Sequence, residues 1–198
     1  MTEFTAVIPA RLKSTRLPGK PLSDIAGHSM VEWVAAEALK SGASEVIVAT
    51  DSDRIASAVN LPGVRTVLTS ENHSSGTERI AEVIGKEKIP AERIIVNVQG
   101  DEPLMDPEVI RKVADLLDAE RTAAMATAAV PIADERELLS PDAVKIALAP
   151  DGFALYFSRA PIPYDRDNFR AGKNVITGDS MSATSASMPT VLDLSAIT

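Results

Sequence analysis

Short apolar runs alternate with stretches of helical periodicity along most of the chain. The runs are rich in Val and Ile and predict buried β-strands over Phe4–Ile8, Glu45–Ala49, Val64–Leu68 and Ile94–Val98. The periodic segments predict helices over Met30–Leu39, Arg54–Val59, Glu78–Ile84 and Pro107–Leu117. Strands and helices that alternate in this way favour an α/β fold, with a mostly parallel central sheet and helices on both faces.

The pattern changes in the last third of the chain. Val144–Ala149 and Phe153–Phe157 flank the turn sequence Pro150-Asp151-Gly152, which predicts a late β-hairpin. After Lys173 there is no Lys, Arg or Glu, and nine of residues 174–198 are Ser or Thr. We therefore expect one organised domain over residues 1–173, followed by a tail over 174–198 without regular structure.

Composition restricts the partners of the protein. The 198 residues include 20 Lys and Arg against 28 Asp and Glu, a formal net charge of −8, which argues against broad nucleic-acid binding. An anionic substrate must then be bound by a local cluster of cations. The absence of cysteine excludes disulfides and a Cys nucleophile and is compatible with a cytoplasmic location. No signal peptide or membrane-spanning apolar stretch is visible, so we expect no membrane partner.

A basic loop follows the first predicted strand. The segment Pro9–Lys20 holds two hydroxyls, a glycine and four cations, which are Arg11, Lys13, Arg16 and Lys20. In open α/β sheets ligands bind at the carboxyl ends of strands, and such a loop suits a polyphosphate. The alternative is a solvated surface loop that is basic by chance. The loop matches neither GxGxxG nor GxxxxGK[ST], which argues against a dinucleotide-binding dehydrogenase and a P-loop NTPase.

Two carboxylates follow the fourth predicted strand, at the same expected edge of the sheet. Asp101 and Glu102 suit Mg²⁺, which prefers one or two carboxylates together with phosphate oxygens. Such a metal screens phosphate charge and polarises the phosphorus under attack. An ordinary acidic turn is the alternative, and the neighbouring basic loop favours the Mg²⁺–nucleotide interpretation.

A third feature is the sequence Ser75-Gly76-Thr77 at the start of a predicted helix. Free backbone donors at such a start can bind a base or a phosphate. A plain N-cap explains the same residues equally well. His73, just before them, is by itself more typical of a surface or capping residue than of a catalyst.

Together these stretches resemble the 3-deoxy-manno-octulosonate cytidylyltransferases, or CMP-Kdo synthetases. The resemblance is carried by Pro9–Leu22, Ser75–Arg79 and Val98–Pro103, and is extended by Ala143–Lys145 and Tyr156–Pro163. It spans roughly residues 3–170. The basic loop differs from those of the sialic acid cytidylyltransferases and from the double-glycine loops of molybdenum-cofactor and hexose-1-phosphate nucleotidylyltransferases.

The resemblance implies a Rossmann-like nucleotidyltransferase fold, a homodimer, and a reaction that uses CTP and Mg²⁺. The anomeric hydroxyl of 3-deoxy-D-manno-octulosonate (Kdo) would attack the α-phosphate of CTP and give CMP-Kdo and pyrophosphate for lipopolysaccharide biosynthesis. Two alternatives stay open. One is a cytidylyltransferase for an 8-amino Kdo analogue, and the other is a non-catalytic CTP-binding protein.

The resemblance also implies roles for particular residues. Arg11, Lys20 and Asp101 would be catalytic, with Asp101 as the Mg²⁺ ligand. The residues expected to bind the nucleotide are Pro9, Ala10, Arg11, Arg16, Lys20, Ser75, Gly76 and Arg79. Gln99 and Arg159 would face the sugar acid.

The end of the chain departs from the family pattern, which continues through Arg-His-Ile-Gly-Ile-Tyr and a later Gly-Val-Asp metal ligand. When the codons of residues 182–191 are read from their third bases, the genetic code permits Arg-His-Ile-Gly-Ile-Tyr-Ala-Tyr-Arg in register. This predicts a one-base deletion near codon 180 and a non-native tail from about Met181. Sequencing the coding DNA tests the prediction, and third bases that do not spell this segment would refute it.

Overall fold

The computed structural model describes residues 2–13 and 18–162, together with the backbone of 184–186 and 190–192. The chain divides into two compact units. The first comprises Met1–Thr127 and Pro189–Thr198, and the second comprises Ala128–Met188.

Strands and helices alternate along the first unit. In chain order its elements are β1 (Phe4–Ala10), a 3₁₀ turn (Lys20–Leu22), β2 (Asp24–Ile25), β3 (His28–Ser29), α1 (Met30–Lys40), β4 (Glu45–Thr50), α2 (Asp53–Ala58), β5 (Val64–Leu68), α3 (Gly76–Glu87), β6 (Ile94–Asn97), α4 (Pro107–Ala119) and β7 (Met125–Thr127). The second unit contains β8 (Val130–Pro131), α5 (Glu135–Leu139), β9 (Val144–Leu148), β10 (Ala154–Ser158) and β11 (Thr184–Ala186), and β12 (Thr190–Leu192) belongs to the first.

The first unit is built on a six-stranded sheet in the order β5-β4-β1-β6-β12-β7. β5, β4, β1 and β6 run parallel, with Val7 of β1 aligned to Ile47 of β4 and Asn97 of β6. β12 is antiparallel to both of its neighbours. The predicted α/β fold with a mostly parallel sheet is confirmed.

Helices pack on both faces of this sheet because its central strands carry buried apolar side chains on both faces. Val7, Ile47 and Ile95 belong to a buried cluster with Ile80 and Val83 of α3. α1 and α4 contact each other and the strands from the opposite face, where Ala6, Ile8, Val46, Val48 and Val96 are completely buried. Removing these side chains from water is the main source of stability for the unit.

Side-chain caps decide where the helices begin. Ser29 and Glu32 form a capping box at the start of α1, and the carboxylate of Asp106 accepts from the Glu108 N–H at 2.8 Å at the start of α4. α3 begins at Gly76, two residues before the predicted Glu78, because Ser75 acts as its cap. No helix among the described residues is long and apolar enough to cross a membrane.

The second unit contains the predicted late hairpin. β9 and β10 pair antiparallel, and the turn closes through the Ala149 N–H to the Phe153 carbonyl at 2.8 Å. Gly152 adopts a φ of 91°, in the left-handed region that glycine enters without strain. The sheet of this unit has the order β10-β9-β11-β8.

Two short strands lie in the segment where we expected none. β11 pairs with β9 and β8, and β12 pairs with β6 and β7. Strand pairing uses backbone N–H and C=O groups, so a segment without apolar alternation can still complete a sheet. The other residues of 174–198 lie outside the described residues, and the boundary expected at residue 173 stays a prediction.

Arg111 of α4 ties together three chain segments at the amino end of the sheet. Its guanidinium donates to the carbonyls of Gly42 at 2.6 Å, Ser41 at 3.0 Å and Thr2 at 3.1 Å. It also lies 4.8 Å from the centre of the Phe4 ring. This side chain therefore holds the end of α1 and the start of β1 against α4.

We expect Arg111→Ala to lower the free energy of unfolding by about 2–3 kcal/mol, because three carbonyls lose a charged donor. Urea unfolding measures the change. Lys112→Ala is the control, since Lys112 is exposed and pairs only weakly with Glu108 at 3.3 Å; its effect should stay below about 0.5 kcal/mol. Equal losses in the two variants would contradict the assigned role.

Candidate active site

A cleft of about 490 Å³ lies at the carboxyl ends of the parallel strands of the first unit. Parallel sheets bind ligands at this edge, where the loops after the strands converge. The cleft is lined by Pro9, Ala10, Arg11, Lys20, Pro21, His73, Ser74, Ser75, Gly76, Arg79, Gln99, Gly100 and Asp101. All three motifs singled out from the sequence contribute to it.

The structure brings most of the predicted site residues together. Those that line the cleft are Pro9, Ala10, Arg11, Lys20, Ser75, Gly76, Arg79, Gln99 and Asp101. Arg16 lies outside the described residues, and Arg159 belongs to the second unit. Sequence reasoning did not assign site roles to Pro21, His73, Ser74 and Gly100, although all four lie within or beside the quoted motifs. The roles themselves stay predictions.

A backbone hydrogen bond joins the two described ends of the basic loop. The Gly19 N–H donates to the Leu12 carbonyl at 3.1 Å, and Gly19 adopts a φ of 73° that favours glycine. Lys20 follows immediately and places its Nζ 2.6 Å from Oδ2 of Asp101. A cation from the basic loop and a carboxylate from the loop after β6 therefore meet in the cleft.

The amino end of α3 forms another wall of the cleft. Oγ of Ser75 accepts from the Glu78 N–H at 3.2 Å, while the Ser74 N–H and hydroxyl donate to the Glu78 carboxylate at 2.7 and 2.9 Å. These hydrogen bonds from Ser74 lower the pKa of Glu78. The capped turn holds Gly76 at the helix end whose dipole attracts anions.

Glycine is required where the loops approach β1 most closely. A Cβ added to Gly100 would lie 2.6 Å from the carbonyl oxygen of Pro9. A Cβ added to Gly76 would lie 3.2 Å from Cγ of the Pro9 ring. A Cβ at position 100 would therefore force the backbone to shift. The absence of a side chain at these positions lets the loop after β6 and the start of α3 pack against the end of β1.

His73 is held at the rim of the cleft by α3. Its Nε2 forms a short hydrogen bond with Oε2 of Glu82, which also accepts from the Ser70 N–H at 2.8 Å. Lys86 pairs with the same carboxylate at 2.6 Å. Lys86, His73 and the Ser70 amide together lower the pKa of Glu82 to about 2. The ionised carboxylate fixes the position of the imidazole.

Asp101 and Glu102 are the candidate metal ligands. Among the described residues there is no cluster of three or more His, Cys, Asp or Glu able to hold a metal ion. Burial raises the pKa of Glu102, and the negative charge of Asp101 raises it further. Asp101 lines the cleft, and a carboxylate in an open cleft fits Mg²⁺, which takes its other ligands from phosphate and water.

Arg159, the predicted sugar ligand in the second unit, is held by hydrogen bonds of both its side chain and its backbone. Its Nη1 donates to the Pro141 carbonyl at 2.7 Å. The buried Lys145 Nζ donates to the carbonyls of Ser140, Ala143 and Arg159 at 2.7, 2.9 and 2.8 Å. Burial lowers the pKa of Lys145, and the charge of Arg159 lowers it further. Lys145 thus fixes the backbone from which Arg159 projects.

Comparison with known proteins gives consistent matches. A family profile described as "Cytidylyltransferase" matches residues 5–184. A 3-deoxy-manno-octulosonate cytidylyltransferase of Vibrio cholerae serotype O1 (strain M66-2) is 57% identical over 174 residues, 87% of this chain and 69% of the relative. A protein of the same name from Idiomarina loihiensis is 54% identical over 176 residues, 88% of this chain and 70% of the relative.

A solved structure also matches almost the whole chain. It is described as CMP:2-keto-3-deoxy-manno-octonic acid synthetase complexed with CTP, and it aligns with a TM-score of 0.83 and 34% identity. The alignment covers 99% of this chain and 77% of the other.

We expect Gly100→Ala to lower the free energy of unfolding by about 1–3 kcal/mol, because its Cβ collides with backbone at Pro9. Gly85→Ala is the matched control. Gly85 is exposed within α3 and a Cβ there meets nothing within 4 Å, so alanine should stabilise the helix by up to about 1 kcal/mol. Thermal and urea unfolding compare the two. A Gly100→Ala protein as stable as the unmodified chain would refute the close approach.

Proposed function

The chain belongs to the cytidylyltransferase family, and we propose that it transfers CMP from CTP to Kdo with release of pyrophosphate. The resemblance recognised in the three motifs is confirmed by the relatives and by the matching structure. The observation that carries the proposal is the meeting of Arg11, Lys20 and Asp101 with the Ser75–Gly76 turn in one cleft.

The triphosphate of CTP is matched by the charges of the cleft. Arg11 and Lys20 are its lining cations from the basic loop, and the amino end of α3 adds the positive end of a helix dipole. Ala10, Ser75 and Gly76 supply small surfaces and backbone groups against which a cytosine ring can pack. This arrangement binds a nucleotide without a glycine-rich phosphate loop.

Asp101 is the residue we propose as the Mg²⁺ ligand, with Glu102 beside it. When bound, Mg²⁺ screens the charge of the phosphate oxygens and polarises the phosphorus under attack. Lys20, 2.6 Å from Asp101, stands next to the same position and can donate to phosphate oxygens there. The carboxylate holds the cation of Lys20 in place before substrate enters.

Gln99, which lines the cleft of the first unit, is the residue proposed to contact the sugar acid. The anomeric hydroxyl of the sugar acid loses its proton to solvent as its oxygen bonds to the α-phosphorus of CTP. The bond between that phosphorus and the oxygen bridging to the β-phosphate breaks, and pyrophosphate leaves. No covalent enzyme intermediate is needed. The residues act by placing the two substrates and neutralising charge, and these two effects supply most of the rate acceleration in reactions of this kind.

Three further properties are proposed from the family resemblance. They are a homodimer, a cytoplasmic location and a supply of CMP-Kdo for lipopolysaccharide biosynthesis. An 8-amino Kdo analogue is the alternative acceptor. A non-catalytic CTP-binding protein is the alternative without turnover.

The experiment is pyrophosphate release by the purified chain with CTP, Mg²⁺ and Kdo, each omitted in turn. We expect release only when all three are present. Asp101→Asn should lower kcat/KM by at least about 100-fold, because it removes a charge that acts at the reacting phosphate. Asp115→Asn, an exposed carboxylate of α4, is the control and should change little.

Each alternative has its own outcome. A kcat/KM that is higher with the 8-amino analogue than with Kdo would identify the analogue as the acceptor. CTP binding in calorimetry without any release would identify the non-catalytic protein. Release that does not require the sugar, or that survives Asp101→Asn unchanged, would contradict the proposed reaction.

A further inference from the structure

Asp51 is a buried carboxylate that sequence reasoning did not assign to the site. It follows β4 directly, and its side chain is only 8% exposed. Its two oxygens accept from different segments: Oδ2 from Nη2 of Arg79 at 2.9 Å, and Oδ1 from the Leu12 N–H at 3.4 Å. Arg79 belongs to α3 and Leu12 to the basic loop, so Asp51 joins two walls of the cleft.

On the helix side, the buried guanidinium of Arg79 bonds to Asp51 and to a residue that follows β5. Its side chain is 3% exposed, and its Nη1 forms a short hydrogen bond with Oγ1 of Thr69, the residue after β5. The Thr69 hydroxyl in turn donates to the Thr50 carbonyl at 3.1 Å. The guanidinium therefore fastens the first turn of α3 to the ends of β4 and β5.

On the loop side, the hydrogen bond between Asp51 and Leu12 is linked through Gly19 to Lys20, the cation that pairs with Asp101. The Leu12 carbonyl accepts from the Gly19 N–H at 3.1 Å, and Lys20 is the next residue along the chain. A chain of hydrogen bonds thus runs from Arg79 through Asp51 and Leu12 to the turn that carries Lys20. Arg11, immediately before Leu12, is anchored by the same bond.

We propose that Asp51 is a positioning residue for nucleotide binding. Asp51 fixes the first turn of α3 to Leu12 of the basic loop. Ser75, Gly76, Arg11 and Lys20 are thereby placed to contact the same CTP molecule. This proposal rests on the proposed function, because Asp51 can align a CTP site only if the cleft binds CTP. A salt bridge that only stabilises the fold would predict no selective effect on CTP.

The chain offers a matched ion pair at the other end of α3. Arg65 of β5 pairs with Glu87 at the last residue of the helix and with Glu45 at the first residue of β4, both at 2.8 Å. It ties the same helix to the same two strands, but at the edge of the sheet away from the cleft. Its side chain is 52% exposed, so solvent screens the pair.

The test measures CTP binding by calorimetry in Mg²⁺ and steady-state kinetics for Asp51→Asn. An amide has one acceptor oxygen, so this variant keeps one of the two contacts and turns an N–H donor toward the other. We expect CTP affinity to fall about tenfold, with the KM for Kdo within about twofold of the unmodified chain. Hydrogen exchange should accelerate in a peptide covering residues 10–20.

Two controls separate positioning from stability. Glu87→Gln removes the matched pair and should leave CTP affinity unchanged. Arg111→Ala destabilises the same unit away from the cleft and should also leave CTP affinity unchanged at temperatures where it is folded. If Asp51→Asn does not fold, Asp51→Glu is measured in its place. It keeps a carboxylate beside Arg79, but its longer side chain moves the acceptor away from the Leu12 N–H, so CTP should again bind about tenfold more weakly.

The outcomes are distinguishable from failure of the proposed function. An unmodified chain that does not bind CTP overturns the function, and the positioning role with it. An unmodified chain that binds CTP while Asp51→Asn binds it equally well overturns the positioning role alone. Equal loss of CTP affinity in Arg111→Ala would also overturn it, since general destabilisation would then account for the effect.

Discussion

The parallel pairing of β1 with β4 and β6 is the constraint on which the site depends. It brings the carboxyl ends of these strands to one edge of the sheet, so that loops distant in sequence open into the same cleft. Lys20 and Asp101 are 81 positions apart and meet at 2.6 Å for this reason. The close approach of Gly100 to Pro9 depends on the same pairing, since a Cβ would separate the two strand ends.

Local arrangement of charge matters more here than net charge. A chain of net charge −8 presents Arg11 and Lys20 in a cleft suited to a triphosphate. Two carboxylates of this region are themselves engaged, Asp101 with Lys20 and Asp51 with Arg79. A polyanion can therefore be bound through local cations and backbone donors despite an acidic surface.

The charges of the buried cations Arg79 and Lys145 are compensated by different groups. Arg79 is neutralised by a carboxylate, which leaves little net charge in the interior. Lys145 instead donates to three backbone carbonyls, whose dipoles offset part of the cost of burial, and burial still lowers its pKa. Each cation orders the backbone around it.

The sequence by itself determined the parallel strands β1, β4, β5 and β6, the helices α1–α4 and the hairpin of β9 and β10, because apolar periodicity is a local property of the chain. It also determined the place of the cleft, because ligands bind at the carboxyl ends of parallel strands. It also singled out Lys20, Asp101 and the Ser75–Gly76 turn through their motifs, and these residues line the cleft. Only the tertiary structure decided the bonds of Asp51 to Arg79 and Leu12, and the pairing of β11 and β12. These depend on backbone groups and on segments far apart in the chain, which no local pattern of residues encodes.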